Sequence, residues 1–332
     1  MLTSFGRIEL RKDHTLSKGT SRFGISERMR GLLCLLGQSV VYDQASELFG
    51  EMMGVEISAP QVQRVCTHYG SAVDPLVNAD CEAAIPRLEA GKNGDKVYVM
   101  MDGSMVYTRD EGWRELKLGR LFRQGQVVDI QANRRQIMDS VYVGHLGSVD
   151  GFFPKFERHL VGYGNKVIIG DGAKWIWNWA DDNYPGALQI LDFYHAKEKL
   201  VLFARHQYRD EAVRLAWIKE QADKLLDGRL EEVLSNLRSC RARNEEAKLA
   251  KQKAIDYYIE HDDRMQYKTY REQGLMIGSG PIEAAHRSVI QQRLKLSGQK
   301  WSVSGAQAVA NLRCYRHSGA WNIVKKIIAA AA

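Results

Sequence analysis

The chain has 332 residues, 45% hydrophobic and 26% charged, with a formal charge of +7, a balance that fits a soluble globular protein of two or three domains. No apolar run approaches the roughly 18 residues of a membrane span, and the N-terminus MLTSFGRIELRKDH has no apolar signal core, so a reducing cytoplasm is expected. Five scattered cysteines (Cys34, Cys66, Cys81, Cys240, Cys314) form no C-x-x-C pair, which argues against a zinc ribbon or a disulfide framework.

Residues 26–89 read as helices, within a mainly helical region 1–90. Ala45, Leu48, Phe49 and Met52 follow i, i+3, i+4, i+7 spacing, and Gly54 stops that helix. Ser58 and Gln61 then form a capping box, and Val62, Val65, Cys66 and Tyr69 repeat the spacing. Helix, short turn, helix is the outline of a helix-turn-helix that leaves Gln63 and Arg64 outward to touch DNA. An ordinary helical hairpin reads the same way.

Near residue 95 the period changes. KVYVMMDG (96–103) predicts a short apolar strand ending at Asp102-Gly103. WRELKLGRLF (113–122), QIMDSVYVGHL (136–146), KVIIG (166–170) and ALQILDFYH (187–195) suit further strands, so residues 95–195 form a mixed α/β segment. Trp175 and Trp179, four apart after Asp171-Gly172, share a helix face that packs on the sheet. From Ala196 to Gln273 there is no proline and one glycine, Gly228, which predicts an all-helical insertion over 196–275. Leu230, Val233, Leu234 and Leu237 mark one of its helices, and Ile255, Tyr258 and Ile259 another. Gly-Ser-Gly-Pro at 278–281 then opens a new helix, with Pro281 at its start and Glu283 in its first turn.

The charge is unevenly spread. Residues 276–332 hold eight Lys/Arg and one acid, Glu283, a net +7 equal to that of the whole chain. Such a segment suits a polyanion partner or a solvated helix face.

Asp102 and Asp171 both follow apolar strands and precede glycine. Ligand sites gather at strand carboxyl ends in α/β sheets. If the two strands are parallel neighbours, the carboxylates repel unless a cation lies between them. Oxygen ligands suit Mg²⁺ or Mn²⁺, and glycine leaves room for a substrate backbone. Glu283 supplies a third carboxylate, with His286 and Arg287 on its face of the helix. Taken singly, each Asp-Gly is better explained by a turn.

The stretches VYVMMDGSMV, WRELKLG, VIIGDGAKWIW, PGALQILDFYHAKEKL and GSGPIEAAHRSVIQQRLKLSGQKWS together resemble bacterial insertion-sequence transposases of the ISKra type. TSFGRIELRKDH and GVEISAPQVQRV resemble the N-terminal region of the same family. Those proteins are DDE enzymes with an RNase H-like core, related to Mutator-like elements. The resemblance runs from about residue 4 to about residue 316. It implies an RNase H-like mixed sheet carrying an all-helical insertion, preceded by a helix-turn-helix-like region, with basic C-terminal core helices over 276–332. It implies metal ligation by Asp102, Asp171 and Glu283, and two Mg²⁺ or Mn²⁺ ions. It sets His195 of the Asp-x-x-His motif beside the scissile phosphate, with Asp192 to orient it; a structural role closing the strand is the alternative. RLKLSGQKW gives Arg293, Lys295 and Lys300 for phosphates and Trp301 for stacking on an unpaired base, or for the core; Arg64 and Arg287 add DNA contacts. Family members often carry a cysteine pair after FGRIELR, whereas RKDHTLSKGTSRFG has none here.

The expected activity is transposition: phosphodiester cleavage at the element ends and strand transfer into target DNA, by a homo-oligomer assembled on DNA in the bacterial cytoplasm, at the nucleoid. Two other readings are a non-mobile nuclease of the same fold and an inactive, transposase-derived DNA-binding protein.

Overall fold

The computed structural model describes residues 2–3, 6–7, 23–76, 85–92, 94–131 and 134–330. Cys81 and most of TSFGRIELRKDH lie outside them. In chain order come strands β1 (Leu2–Thr3) and β2 (Gly6–Arg7), then helices α1 (Glu27–Ser39), α2 (Tyr42–Met53) and α3 (Ala59–Ala72). Strands β3 (Val97–Thr108), β4 (Gly112–Arg123), β5 (Val127–Gln131), β6 (Arg134–Ile137) and β7 (Val141–Leu146) follow, then α4 (Val149–Leu160), β8 (Lys166–Gly170), α5 (Lys174–Asn183) and β9 (Leu188–Leu191). Helices α6 (Phe193–Gln207), α7 (Glu211–Leu226), α8 (Leu230–Ser239), α9 (Glu245–Glu260) and α10 (Tyr267–Glu272) fill the predicted helical stretch. The chain continues through α11 (Gly280–Ala285), a π-helical stretch (His286–Gln291), α12 (Gln292–Leu294), α13 (Val303–His317) and α14 (Trp321–Ala330).

Five strands form one mixed sheet in the order β7-β4-β3-β8-β9, while β5 and β6 pair apart from it. β4 and β7 are antiparallel; β3, β8 and β9 run parallel. The predicted mixed α/β class therefore holds. By contacts the chain divides into two units. One comprises the residues up to Asp95, Gly103–Tyr163 and Ile282 onward; the other comprises Lys96–Asp102 and Gly164–Pro281.

In the first unit, α1, α2 and α3 share a core with α13 and α14. Leu33, Phe49, Val62, Val65 and Tyr69 are buried with Leu312, Tyr315 and Val324. The approach of α3 to α13 needs a glycine, because a Cβ on Gly70 would lie 2.3 Å from the Ala308 carbonyl oxygen. Gly54, at φ +63°, ends α2 in the left-handed conformation that glycine adopts without cost. Ser58 does cap α3, but its hydroxyl makes no capping bond, so the capping box is absent. Leu48 and Met52 face solvent rather than the core. Residues 85–92 are not helical.

In the second unit the strands are buried on both faces, as parallel strands are, which explains their continuous apolar runs. Val99, Met100, Ile168, Ile169, Ile190 and Leu191 are wholly enclosed. Helix α9 packs on α6 through the buried Tyr258, whose hydroxyl donates to the Ala196 carbonyl at 2.7 Å. Ile259 is exposed. On α5 it is Trp177 and Trp179 that are buried, with Trp175 only half so, because Trp177 turns inward to bond the turn before its helix.

Two strand ends differ from expectation. β3 does not stop at Asp102-Gly103 but runs on to Thr108. Gly103 is a through-strand glycine: a Cβ there would sit 2.0 Å from the Glu115 carboxylate on β4. The segment 136–146 is two strands, β6 and β7, rather than one.

Candidate functional site

Asp171 follows β8 directly. Its Oδ1 accepts the Ala173 N–H at 3.0 Å, and its carbonyl accepts the Trp177 indole N–H at 2.8 Å. These bonds turn the chain from strand into α5 and leave Oδ2 for other partners. Gly172 is required for space, since a Cβ would lie 2.3 Å from the Tyr257 ring. Lys199 lies 4.5 Å from the centre of that ring. Burial first, then the charges of Asp171, Asp192 and Glu198, push the Tyr257 phenol well above its usual range, so it remains protonated.

Asp192 was expected inside a strand that closes at His195. Instead β9 ends at Leu191, and Asp192 caps α6. Oδ1 accepts the Tyr194 and His195 N–H groups at 2.5 and 3.0 Å; Oδ2 accepts the Ser279 N–H at 2.5 Å. An N-cap aspartate satisfies donors that a helix start leaves open, and those donors favour its charged form. Burial alone pushes this carboxyl up, yet the hydrogen bonds from His195 and Ser279 hold it below the usual carboxylate range. The Phe193 N–H donates to the Ile277 carbonyl at 2.9 Å, so residues 277–279 are docked on the start of α6 from two sides.

His195 lies in the first turn of α6, half-buried, with Nδ1 3.6 Å from Asp192 Oδ2. That is an ion-pair distance rather than a hydrogen bond. The Asp192 carboxylate is the main cause that raises the imidazole pKa to about 9; burial opposes it, and Asp171 and Glu198 add to it. His195 is therefore a cation at neutral pH.

Asp102 is half-buried on β3. The pairing of Val97 with Lys166 through Met100 with Ile169 is a parallel register that, continued by two positions, sets Asp102 opposite Asp171. Adjacent strands are about 4.8 Å apart, so two carboxylates at one level are within reach of a shared cation. Glu283 is exposed, one turn into α11, whose first residues belong to the second unit and follow Ser279 directly. Asp192 and His195 stand side by side in the second unit, whereas Glu283 falls in the first. Asp192 already accepts three N–H bonds and His195 carries a proton, whereas Asp171 keeps an oxygen open. As oxygen donors, Asp102 and Asp171 suit a hard divalent ion better than the Asp192–His195 pair does.

Of the residues expected to meet DNA, Arg64, Arg287, Lys295 and Lys300 are exposed. Arg64 lines a cleft of about 800 Å³ with Gln63, Thr67 and His68 on the outer side of α3. Arg293 and Trp301 are instead buried. The Arg293 guanidinium lies 4.8 Å from both the Tyr42 and Trp301 ring centres, and its Nε donates to the Gly37 carbonyl at 3.0 Å. The Trp301 indole N–H donates to the Leu294 carbonyl at 3.1 Å. Both residues brace helices, because a cation between two rings needs no solvent. Sequence reading missed Tyr257, Lys199 and Ser279; the glycine after Asp171 was the one signal that pointed to a close neighbour there.

A model of the uncharacterised protein family UPF0236 matches residues 160–326. The chain belongs to the UPF0236 family. It is also 21% identical, over 343 positions, to the UPF0236 protein in vanSb 3'region of Streptococcus gallolyticus, covering 96% of this chain and 72% of that protein. The UPF0236 match contains Asp171, Asp192, His195 and Glu283, but neither Asp102 nor Arg64. No helix among the described residues is long and apolar enough to cross a membrane.

Proposed function

We propose that this protein is a DNA transposase of the DDE type, which cleaves phosphodiester bonds at insertion-sequence ends and joins them to target DNA. One observation carries the reading: the parallel β3–β8 register, which ends with Met100 beside Ile169 and, extended by two positions, would set Asp102 opposite Asp171 at the carboxyl end of β8. An antiparallel run, β3–β4–β7, leading into parallel β8 and β9, supports an RNase H-like core. The motif resemblance to ISKra-type transposases supports the choice of DNA as substrate.

Asp102, Asp171 and Glu283 are the residues that would hold Mg²⁺ or Mn²⁺. Two such ions supply activation of a water or hydroxyl and stabilisation of the leaving oxygen. The His195 cation offers its remaining N–H to a phosphate oxygen, and Asp192 fixes the ring. Arg64, Arg287, Lys295 and Lys300 are exposed cations available to the backbone of terminal-repeat or target DNA. The protein works as a homo-oligomer on DNA, in the cytoplasm of a bacterium.

The test is a strand-transfer assay with duplexes carrying the element ends. Mg²⁺-dependent cleavage and joining is expected, and Asp171→Asn lowers it about a hundredfold or more. Cleavage without joining points to a non-mobile nuclease. Binding with no metal-dependent cleavage points to a DNA-binding protein and overturns the enzyme reading, as does cleavage that survives Asp171→Asn.

A further inference from the structure

The helical stretch 196–275 carries nearly balanced charge, but its cations are not evenly placed. Many acids of α7 to α9 are matched locally: Asp223 with Lys219, Glu220 with Lys224, Asp227 and Glu232 with Arg229, and Glu245 with Lys248. Five arginines of α6 to α9 and their loops are not. Arg205, Arg209, Arg238, Arg241 and Arg243 are all exposed, and their side chains make no ion pair among the described residues.

One side chain fixes the loop that carries two of them. Gln207, at the end of α6, donates through Nε2 to the Arg241 carbonyl at 2.9 Å and accepts the Arg243 N–H through Oε1 at 2.9 Å. This two-way clamp fixes the loop between α8 and α9 against the end of α6. Arg241 and Arg243 are thereby held beside the end of α6, from which the chain runs on to Arg209. Arg209 and Arg243 line one cleft of about 450 Å³. Arg238 closes the last turn of α8, just before the clamped loop. The carboxylate in that cleft is Asp210, and it is engaged in capping α7 through the Val213 N–H at 2.9 Å.

Like charges held together by a backbone clamp repel one another. Arginine, with its planar fork of donors, is the side chain suited to phosphate oxygens. A row of phosphates relieves repulsion along the whole patch, which a single small anion would not. We infer that the arginine-bearing end of helices α6 to α9 is a second nucleic-acid surface, one that grips the phosphate backbone of duplex DNA without reading its sequence. The inference rests on the DNA-acting part of the function proposed above. It extends that reading to a region with no part in the carboxylate site.

The test uses the full chain and a random-sequence duplex, with binding followed by fluorescence anisotropy across a salt series. The variant R209A/R241A/R243A should lose about tenfold or more in affinity, and the slope of log affinity against log salt should flatten by about two to three, about one per phosphate contact removed. The variant K253A/K268A/R271A removes the same charge from other faces of α9 and α10 and should keep most of both. R209K/R241K/R243K should retain the slope, which shows that loss in the alanine variant is not unfolding. Equal weakening of the two alanine variants, or wild-type affinity in the first, overturns the inference while leaving the proposed function standing. A wild-type chain with no salt-dependent affinity for DNA overturns both.

Discussion

Oδ2 of Asp192, a carboxylate with no solvent exposure, lies 3.6 Å from Nδ1 of His195 while accepting the backbone N–H of Ser279. One side chain thus caps a helix, docks the segment leading to Glu283 and charges an imidazole. Its substitution has separable effects.

Asp192→Ala leaves the N–H groups of Tyr194, His195 and Ser279 without their acceptor. Loss of the N-cap costs about 1 kcal/mol and the orphaned buried Ser279 donor about 1–3 kcal/mol, so a total of about 2–4 kcal/mol is expected. His195→Gln keeps all three bonds and should cost much less. Urea unfolding of the two variants measures the difference; equal losses would mean that the ion pair, not the capping, is what matters.

His195 should titrate near pH 9 in the metal-free protein. Its folded pKa stands above the value of about 6.5 for an unfolded histidine, so the stabilisation is complete below pH 6.5 and is lost as pH rises through 9. Imidazole proton shifts followed by NMR would give the midpoint. In Asp192→Asn the midpoint should fall by two units or so, since burial then acts against the charge with less to oppose it. A wild-type midpoint near 6.5 would refute the pairing.

Arg293 and its neighbours Lys295 and Lys300 should part company. Arg293→Ala empties the space between Tyr42 and Trp301 and should cost about 2–4 kcal/mol. Lys295→Ala and Lys300→Ala lie in solvent and should stay within about 0.5 kcal/mol, while lowering affinity for DNA. Thermal unfolding beside a DNA-binding titration separates the two behaviours.

Gly172→Ala would bring a methyl group to 2.3 Å from the Tyr257 ring. Overpacking of this kind costs about 1–3 kcal/mol. Pairing it with Tyr257→Leu should recover part of the loss, so a double-mutant cycle should show coupling. Simple additivity would mean that the ring moves aside freely.

Much of the mixed sheet was legible because its strands are buried on both faces and read as unbroken apolar runs: VYVMM, VIIG and LQIL. The helical stretch was legible from its missing prolines. What escaped notice depends on contacts distant in sequence. Nothing local announces that β3 runs through Asp102-Gly103, because the reason is Glu115 on the next strand. Asp192 looks like a strand residue until Ser279 arrives to bond it. Arg293 reads as one more surface cation, since its two aromatic partners stand 251 residues before it (Tyr42) and 8 after (Trp301). The pairing of β3 with β8, anticipated as a condition, is present; the register that follows from it could not be read from composition.

The core formed by α1 to α3 with α13 and α14 has a kinetic consequence. Arg30 donates to the Ile328 carbonyl at 3.5 Å, and Tyr69 is buried in the same cluster as Leu312 and Val324. At about 5–20 residues per second, a ribosome takes roughly 12–60 s to make the roughly 240–300 residues that separate these partners. During that interval Leu33, Phe49 and Val65 lack the cover of α13 and α14, so the first helices settle only when the last ones reach them.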